Sequence, residues 1–107
     1  MKLLVADDHA GEGTFPVFPR GTAVDDIMPC DEVPHWSACS INGMETFIPD
    51  TFLAEGKLTE DYDPTELIIR KGDIVELRRI VYEWLYVKTE TGALGWLPAS
   101  KTVSIGE

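Results

Sequence analysis

The chain has 107 residues, 44% of them apolar, with nine glycines, seven prolines and a formal net charge of −10. That apolar fraction supports a packed core and excludes global disorder. The negative charge excludes the basic stripe that nucleic acid requires and opposes binding to anionic membrane surfaces, so neither partner is expected.

Read from the start, residues 1–5 form a short apolar run that Asp7 and Asp8 end. A secretory core needs about 7–15 apolar residues, and a membrane span about 20, so the chain is expected to be cytoplasmic. Residues 22–29 and 35–41 read as a hairpin, and 44–48 as its third strand after the Asn42-Gly43 turn. The segment Ala54-Glu55-Gly56-Lys57 reads as a short linker. Beyond it, residues 73–82, 84–89 and 93–97 read as a second three-strand meander, and Ile74-Val75-Glu76-Leu77 is rich in β-branched side chains. No long segment shows helical periodicity, so the fold class is all-β.

The two halves repeat one order of features. Pro16-Val17-Phe18-Pro19-Arg20-Gly21-Thr22 corresponds to Leu67-Ile68-Ile69-Arg70-Lys71-Gly72-Asp73, each an apolar stretch followed by a basic-glycine turn. Trp36 follows Gly21 by 15 residues, and Trp84 follows Gly72 by 12. A glycine turn comes next in each half, then an apolar strand ending in Pro49 or Pro98. The expected division is therefore 1–54 and 55–107, with the halves packed closely. Residues 1–54 carry two basic and nine acidic side chains, and residues 55–107 carry seven and ten, so the first half is the more acidic.

These residues resemble the SH3 family, most clearly in the second half. Asp61-Tyr62-Asp63-Pro64 resembles the end of the Ala-Leu-Tyr-Asp-Tyr motif. Glu66-Leu67-Ile68-Ile69-Arg70-Lys71-Gly72-Asp73 resembles the segment after the RT loop, Trp84-Leu85-Tyr86-Val87 the Trp-Trp-x-Ala segment, and Gly95-Trp96-Leu97-Pro98 the strand before the last turn. In the first half, residues 5–9 take the place of the Tyr motif, and Thr46-Phe47-Ile48-Pro49-Asp50-Thr51-Phe52-Leu53 resembles Gly-Tyr-Ile-Pro-Ser-Asn-Tyr-Val. The resemblance implies two small SH3-like β-barrels in tandem.

It also implies a function. Aromatic walls in this family stack against polyproline II helices, and an indole N–H donates to a peptide carbonyl. The implied groove of the first half uses Trp36, Pro49 and Phe52, with His9 in place of a Tyr and with Asp31 and Glu32 beside it to pair with a peptide Arg or Lys. The implied groove of the second half keeps Trp84, Pro98 and Tyr62, but Lys101 and Glu60 stand where aromatic walls belong. The first half is thus the expected site for a Pro-rich or basic protein segment. Cys39 and Val87 are expected to pack in the core, and Trp96 and Phe47 to cover its edges.

Two alternatives accompany this reading: a structural or assembly role with the grooves buried between domains or subunits, and a cell-wall-binding accessory module. Cys30, Cys39, His9 and His35 have no metal-ligand spacing, and no nucleophile–base pair or phosphate loop stands out. No cofactor, metal or enzymatic activity is expected. The sequence gives no oligomeric state.

Overall fold

Short runs of alternating apolar and polar residues, broken by turns in the left-handed region, leave this chain no choice but strands. The computed structural model describes residues 1–11 and 14–105. In chain order these contain β1 (Lys2–Val5), β2 (Asp25–Pro29), β3 (Trp36–Ile41), β4 (Met44–Pro49), β5 (Leu53–Ala54), β6 (Lys57–Leu58), β7 (Ile74–Val81), β8 (Trp84–Thr89), β9 (Leu94–Pro98) and β10 (Thr102–Ser104). Single 3₁₀ turns follow β4 at Asp50–Phe52 and β9 at Ala99–Lys101. The protein is all-β, with no α-helix among the described residues. Both expected meanders are present, 25–29 with 36–41 and 44–49, and 74–81 with 84–89 and 94–98.

The chain forms two compact units, and they do not follow the expected halves. One is discontinuous, Met1–Phe15 with Thr65–Glu107, and the other is inserted within it, Pro16–Pro64. The expected linker at 54–57 is instead a tight turn inside the inserted unit. Glu55 and Gly56 have φ of 52° and 75°, the conformation of a two-residue hairpin turn, and they join β5 to β6. The boundary between 54 and 55 therefore falls within one unit, and the units are nested rather than consecutive.

The discontinuous unit is a five-stranded antiparallel sheet in the order β10-β1-β7-β8-β9. In β1, Leu3 and Val5 point inward while Lys2 and Leu4 point out, and in β8 Leu85 and Val87 do the same. Leu3, Val5, Leu67, Ile69, Val75, Leu85, Val87 and Leu97 make one core. Each fully buried aliphatic there contributes on the order of 1.5–3 kcal/mol. β7 serves both β1 and β8, and a register shift between Leu77 and Arg79 bends it. The expected closed barrel is not formed. β10 and β9 remain the edges of the sheet, because the outer side of β9 takes only a single parallel bridge, between Glu66 and Trp96.

The inserted unit has a three-stranded sheet, β2-β3-β4, and the short β5–β6 hairpin. Asn42 and Gly43, with φ of 50° and 80°, form the β3–β4 turn. Its core holds Phe18, Val24, Trp36, Cys39, Ile41, Ile48, Phe52, Leu58 and Tyr62. Cys39 and Val87 are buried as expected, and so is Trp96, whereas Phe47 is exposed.

The two units repeat one set of hydrogen bonds. Val5 N–H donates to Asp73 and Gly72 N–H donates to Val5; Leu58 N–H donates to Thr22 and Gly21 N–H donates to Leu58. His9 and Ile69 exchange two backbone bonds, as do Tyr62 and Phe18. Asp8 accepts from the Lys71 N–H, and Asp61 accepts from the Arg20 N–H. The start of the chain thus completes the meander of the second half, and residues 57–62 complete the meander of the first.

Candidate functional site

The exchange of first strands regroups the residues that the sequence singles out. His9 does not join Trp36. It sits in the discontinuous unit with Trp84 and Pro98, while Tyr62 sits in the inserted unit with Trp36, Pro49 and Phe52.

In the inserted unit, Trp36 on β3 lies directly across from Pro49 at the end of β4. Pro49 lacks an N–H, so this position suits a pair that makes no ladder bond. The Asp50 N–H then donates to the His35 carbonyl at 2.9 Å, which starts the 3₁₀ turn carrying Phe52. Phe52 meets Tyr62 edge-on, with ring centroids 5.2 Å apart, and the Tyr62 hydroxyl donates to the Phe47 carbonyl at 2.6 Å. The aromatic members are deeply seated, with Trp36 7%, Phe52 3% and Tyr62 2% exposed, and Pro49 is fully buried. Asp31 and Glu32 lie exposed in the loop between β2 and β3. His35, in the same loop, has φ of 70° and its Nδ1 lies 3.9 Å from the Asp50 carboxylate. Of the residues expected in the first-half groove, Trp36, Pro49 and Phe52 thus lie buried in one unit, joined by Tyr62 from the other expected groove, while His9 lies in the other unit and the acidic pair is at the surface.

In the discontinuous unit the same arrangement is more open. Trp84 faces Pro98 across β8–β9, and the Ala99 N–H donates to the Glu83 carbonyl at 2.9 Å. Trp84 and Pro98 are both half-buried. His9 approaches Trp84 edge-on, with centroids 6.1 Å apart and rings at 73°. Its Nε2 lies 3.3 Å from the Glu66 carboxylate, and both side chains are partly exposed, at 14% and 21%. Lys101 takes the place that Phe52 has in the other unit, and its Nζ donates to the Asp8 carbonyl at 3.1 Å. Trp, Pro, His and Glu therefore converge on one partly open surface, with a fixed ammonium at its margin.

Sequence reasoning missed Glu66 as a member of this set. Its neighbours Leu67 and Ile69 belong to an apolar stretch, but only the pairing of His9 with Ile69 brings the carboxylate to the imidazole. Among the described residues, no group of three or more His, Cys, Asp or Glu side chains could hold a metal ion. Cys39, in the buried core, has its thiol pushed up to about 11 by burial and, secondarily, by the nearby Cys30. No described helix is long and apolar enough to cross a membrane. Compared with family models, curated proteins and solved structures, the chain has no match.

Proposed function

We propose that this chain is a non-enzymatic binding protein built of two SH3-like units, and that it takes a Pro-rich or basic protein segment at the surface formed by Trp84, Pro98, His9 and Glu66. The reading rests on one observation above the others: Trp84 and Pro98 are cross-strand neighbours and are still half open. An indole face beside a proline ring offers the flat wall that a polyproline II segment stacks on. His9 extends that wall, and Glu66 supplies an acceptor for a peptide Arg or Lys. The shift from the expected first-half groove follows from burial, because Trp36, Pro49, Phe52 and Tyr62 offer little side-chain surface to a ligand. That same burial favours the structural role for the Trp36 set.

Titrating the full chain with a Pro-rich, Arg-containing peptide tests the reading by two-dimensional NMR. The Trp84 indole N–H is expected to shift, and Trp84→Ala to weaken binding roughly tenfold or more, as loss of an aromatic anchor does. A Trp84 indole that stays still while Trp36 moves would return the site to the inserted unit. No shift anywhere at saturating peptide would end the peptide-binding reading.

A further inference from the structure

Among the described residues no strand pairs with the outer side of β4, whereas its counterpart in the other unit is filled. Along β9, the Trp96 N–H donates to the Thr65 carbonyl at 2.8 Å and the Leu67 N–H donates to the Trp96 carbonyl at 3.1 Å. Residues 65–67 therefore lie parallel to β9 through the Glu66–Trp96 bridge. Phe47 stands on β4 where Trp96 stands on β9, since Trp96 faces Tyr86 and Phe47 faces Ala38 in the corresponding registers. The two-residue turn at 42–43 makes Ile41–Met44 a hydrogen-bonded pair. By alternation Ala38–Phe47 is not one, so the N–H and C=O of Phe47 point away from β3. The Phe47 carbonyl accordingly accepts from the Tyr62 hydroxyl at 2.6 Å, while its N–H makes no hydrogen bond among the described residues.

The sequence supplies the reason. The shared hydrogen bonds match Phe18 to Ile69, which places Pro16 where Leu67 stands. Pro16 has no N–H to give to Phe47, so the closure seen on β9 is barred here. Phe15, the residue before it, donates instead to the Thr65 hydroxyl at 2.9 Å.

The surroundings set the chemistry of an occupant. Phe47, 41% exposed, forms an outer row with Ala38 and Met28, which is 68% exposed. The next row holds Asp25, Ser40 and Glu45, with both carboxylate residues exposed. The opposite edge, β2, is blunted by Asp25, Asp26, a register shift and Pro29, as natural edges are. The inserted unit carries two basic residues, Arg20 and Lys57, against ten acidic ones, a net charge of −8.

We propose that the β4 edge at Phe47 docks an extended basic segment of a partner protein, added as a parallel strand in the way residues 65–67 add to β9. Main-chain bonds to the Phe47 N–H and to Glu45 would hold the strand, and the exposed Phe47 ring would take its apolar side chains. Lys or Arg side chains would face Glu45, within the field of a −8 unit. Self-repulsion of a −8 unit disfavours a second copy as occupant. This site shares no residue with the Trp84 surface and does not rest on that reading.

The test is an NMR titration of the full chain with a Pro-free peptide of alternating Lys and Val, a sequence the Trp84 surface has no reason to prefer. The Phe47 and Glu45 amides are expected to shift, and the Phe47 amide to gain protection from solvent exchange. Binding should weaken as salt rises. Glu45→Lys, at an exposed position that leaves the core intact, should weaken it several-fold, and Phe47→Pro, which removes the outward N–H at an edge position, roughly tenfold. Shifts confined to Trp84 and His9, unchanged affinity in Glu45→Lys, or no shift at saturating peptide would each overturn the proposal. Concentration-dependent shifts of the same amides without peptide would assign the edge to a second copy and overturn the basic partner.

Discussion

Cys39 and Val87 fill equivalent places, each three residues after the tryptophan that begins its strand, and both side chains are buried. For Val87 burial is purely apolar; for Cys39 it also sets the acidity of the thiol. Burial first, and Cys30 second, raise the folded-state value from 9.0 to about 11. A folded value above the unfolded one means that the native state holds its proton longer. The associated stability is fully present below pH 9.0 and is lost as pH rises toward about 11. In urea titrations across that window, the midpoint should fall more for the natural chain than for Cys39→Val; equal slopes would contradict the assignment. The half-buried Cys30 is expected to react with a thiol reagent well before Cys39, because the thiolate is the reactive form. Packing at Cys39 was legible from its place after Trp36. The exposure of Phe47 was not, because its cover depends on whether a neighbouring residue has an N–H to donate.

At the scale of elements, the strands could be read from the sequence because turn chemistry punctuates them. Asn42-Gly43 ends β3 where expected, and Gly72 and Gly21 mark the starts of the two meanders through φ of 96° and 88°. Less legible was how segments lie against one another. Gly95 in β9 looks like an ordinary weak point in a strand, yet a Cβ there would lie 2.8 Å from Leu67 Cγ and 3.0 Å from the Thr65 carbonyl oxygen. Gly95→Ala should therefore push residues 65–67 off β9 and destabilise the fold by about 1–3 kcal/mol. Denaturant unfolding would measure the loss, and hydrogen exchange would show the Trp96 amide losing protection. A change below that range, with Trp96 still protected, would mean that the segment adjusts without leaving the strand. The Glu55-Gly56 turn shows the same limit on reading. Its residues suit a linker and a hairpin equally, and only the pairing of Leu53 with Leu58 makes it a hairpin.

For the whole molecule, nesting makes a prediction that a tandem arrangement would not. Phe15 and Thr65, where the chain leaves and rejoins the discontinuous unit, share hydrogen bonds of 2.9 and 3.2 Å. The insertion can thus be replaced by a short Gly-Ser linker without stretching the chain. The resulting protein should unfold cooperatively and keep Trp96 buried, and residues 16–64 alone should keep Trp36 buried. Circular dichroism and tryptophan emission would measure both. Broad, non-cooperative melting of both pieces would mean that neither unit holds its fold without the other.

Local sequence specifies the all-β class, the strands of both meanders, the Trp–Pro pairs and the greater acidity of the first half. Each of these depends on local alternation, turn residues or composition, which neighbours in the chain specify. Which opening strand completes which meander is settled by the folded chain. Residues 1–9 and 57–62 offer the same ladder, Val5 with Asp8 and His9, or Leu58 with Asp61 and Tyr62, and the acceptors at Gly72 and Gly21 are alike. Main-chain hydrogen bonds do not distinguish the two segments. The pairing is fixed by contacts between residues far apart in sequence, and it sets His9 beside Trp84 and Glu66 while Tyr62 closes over Phe52.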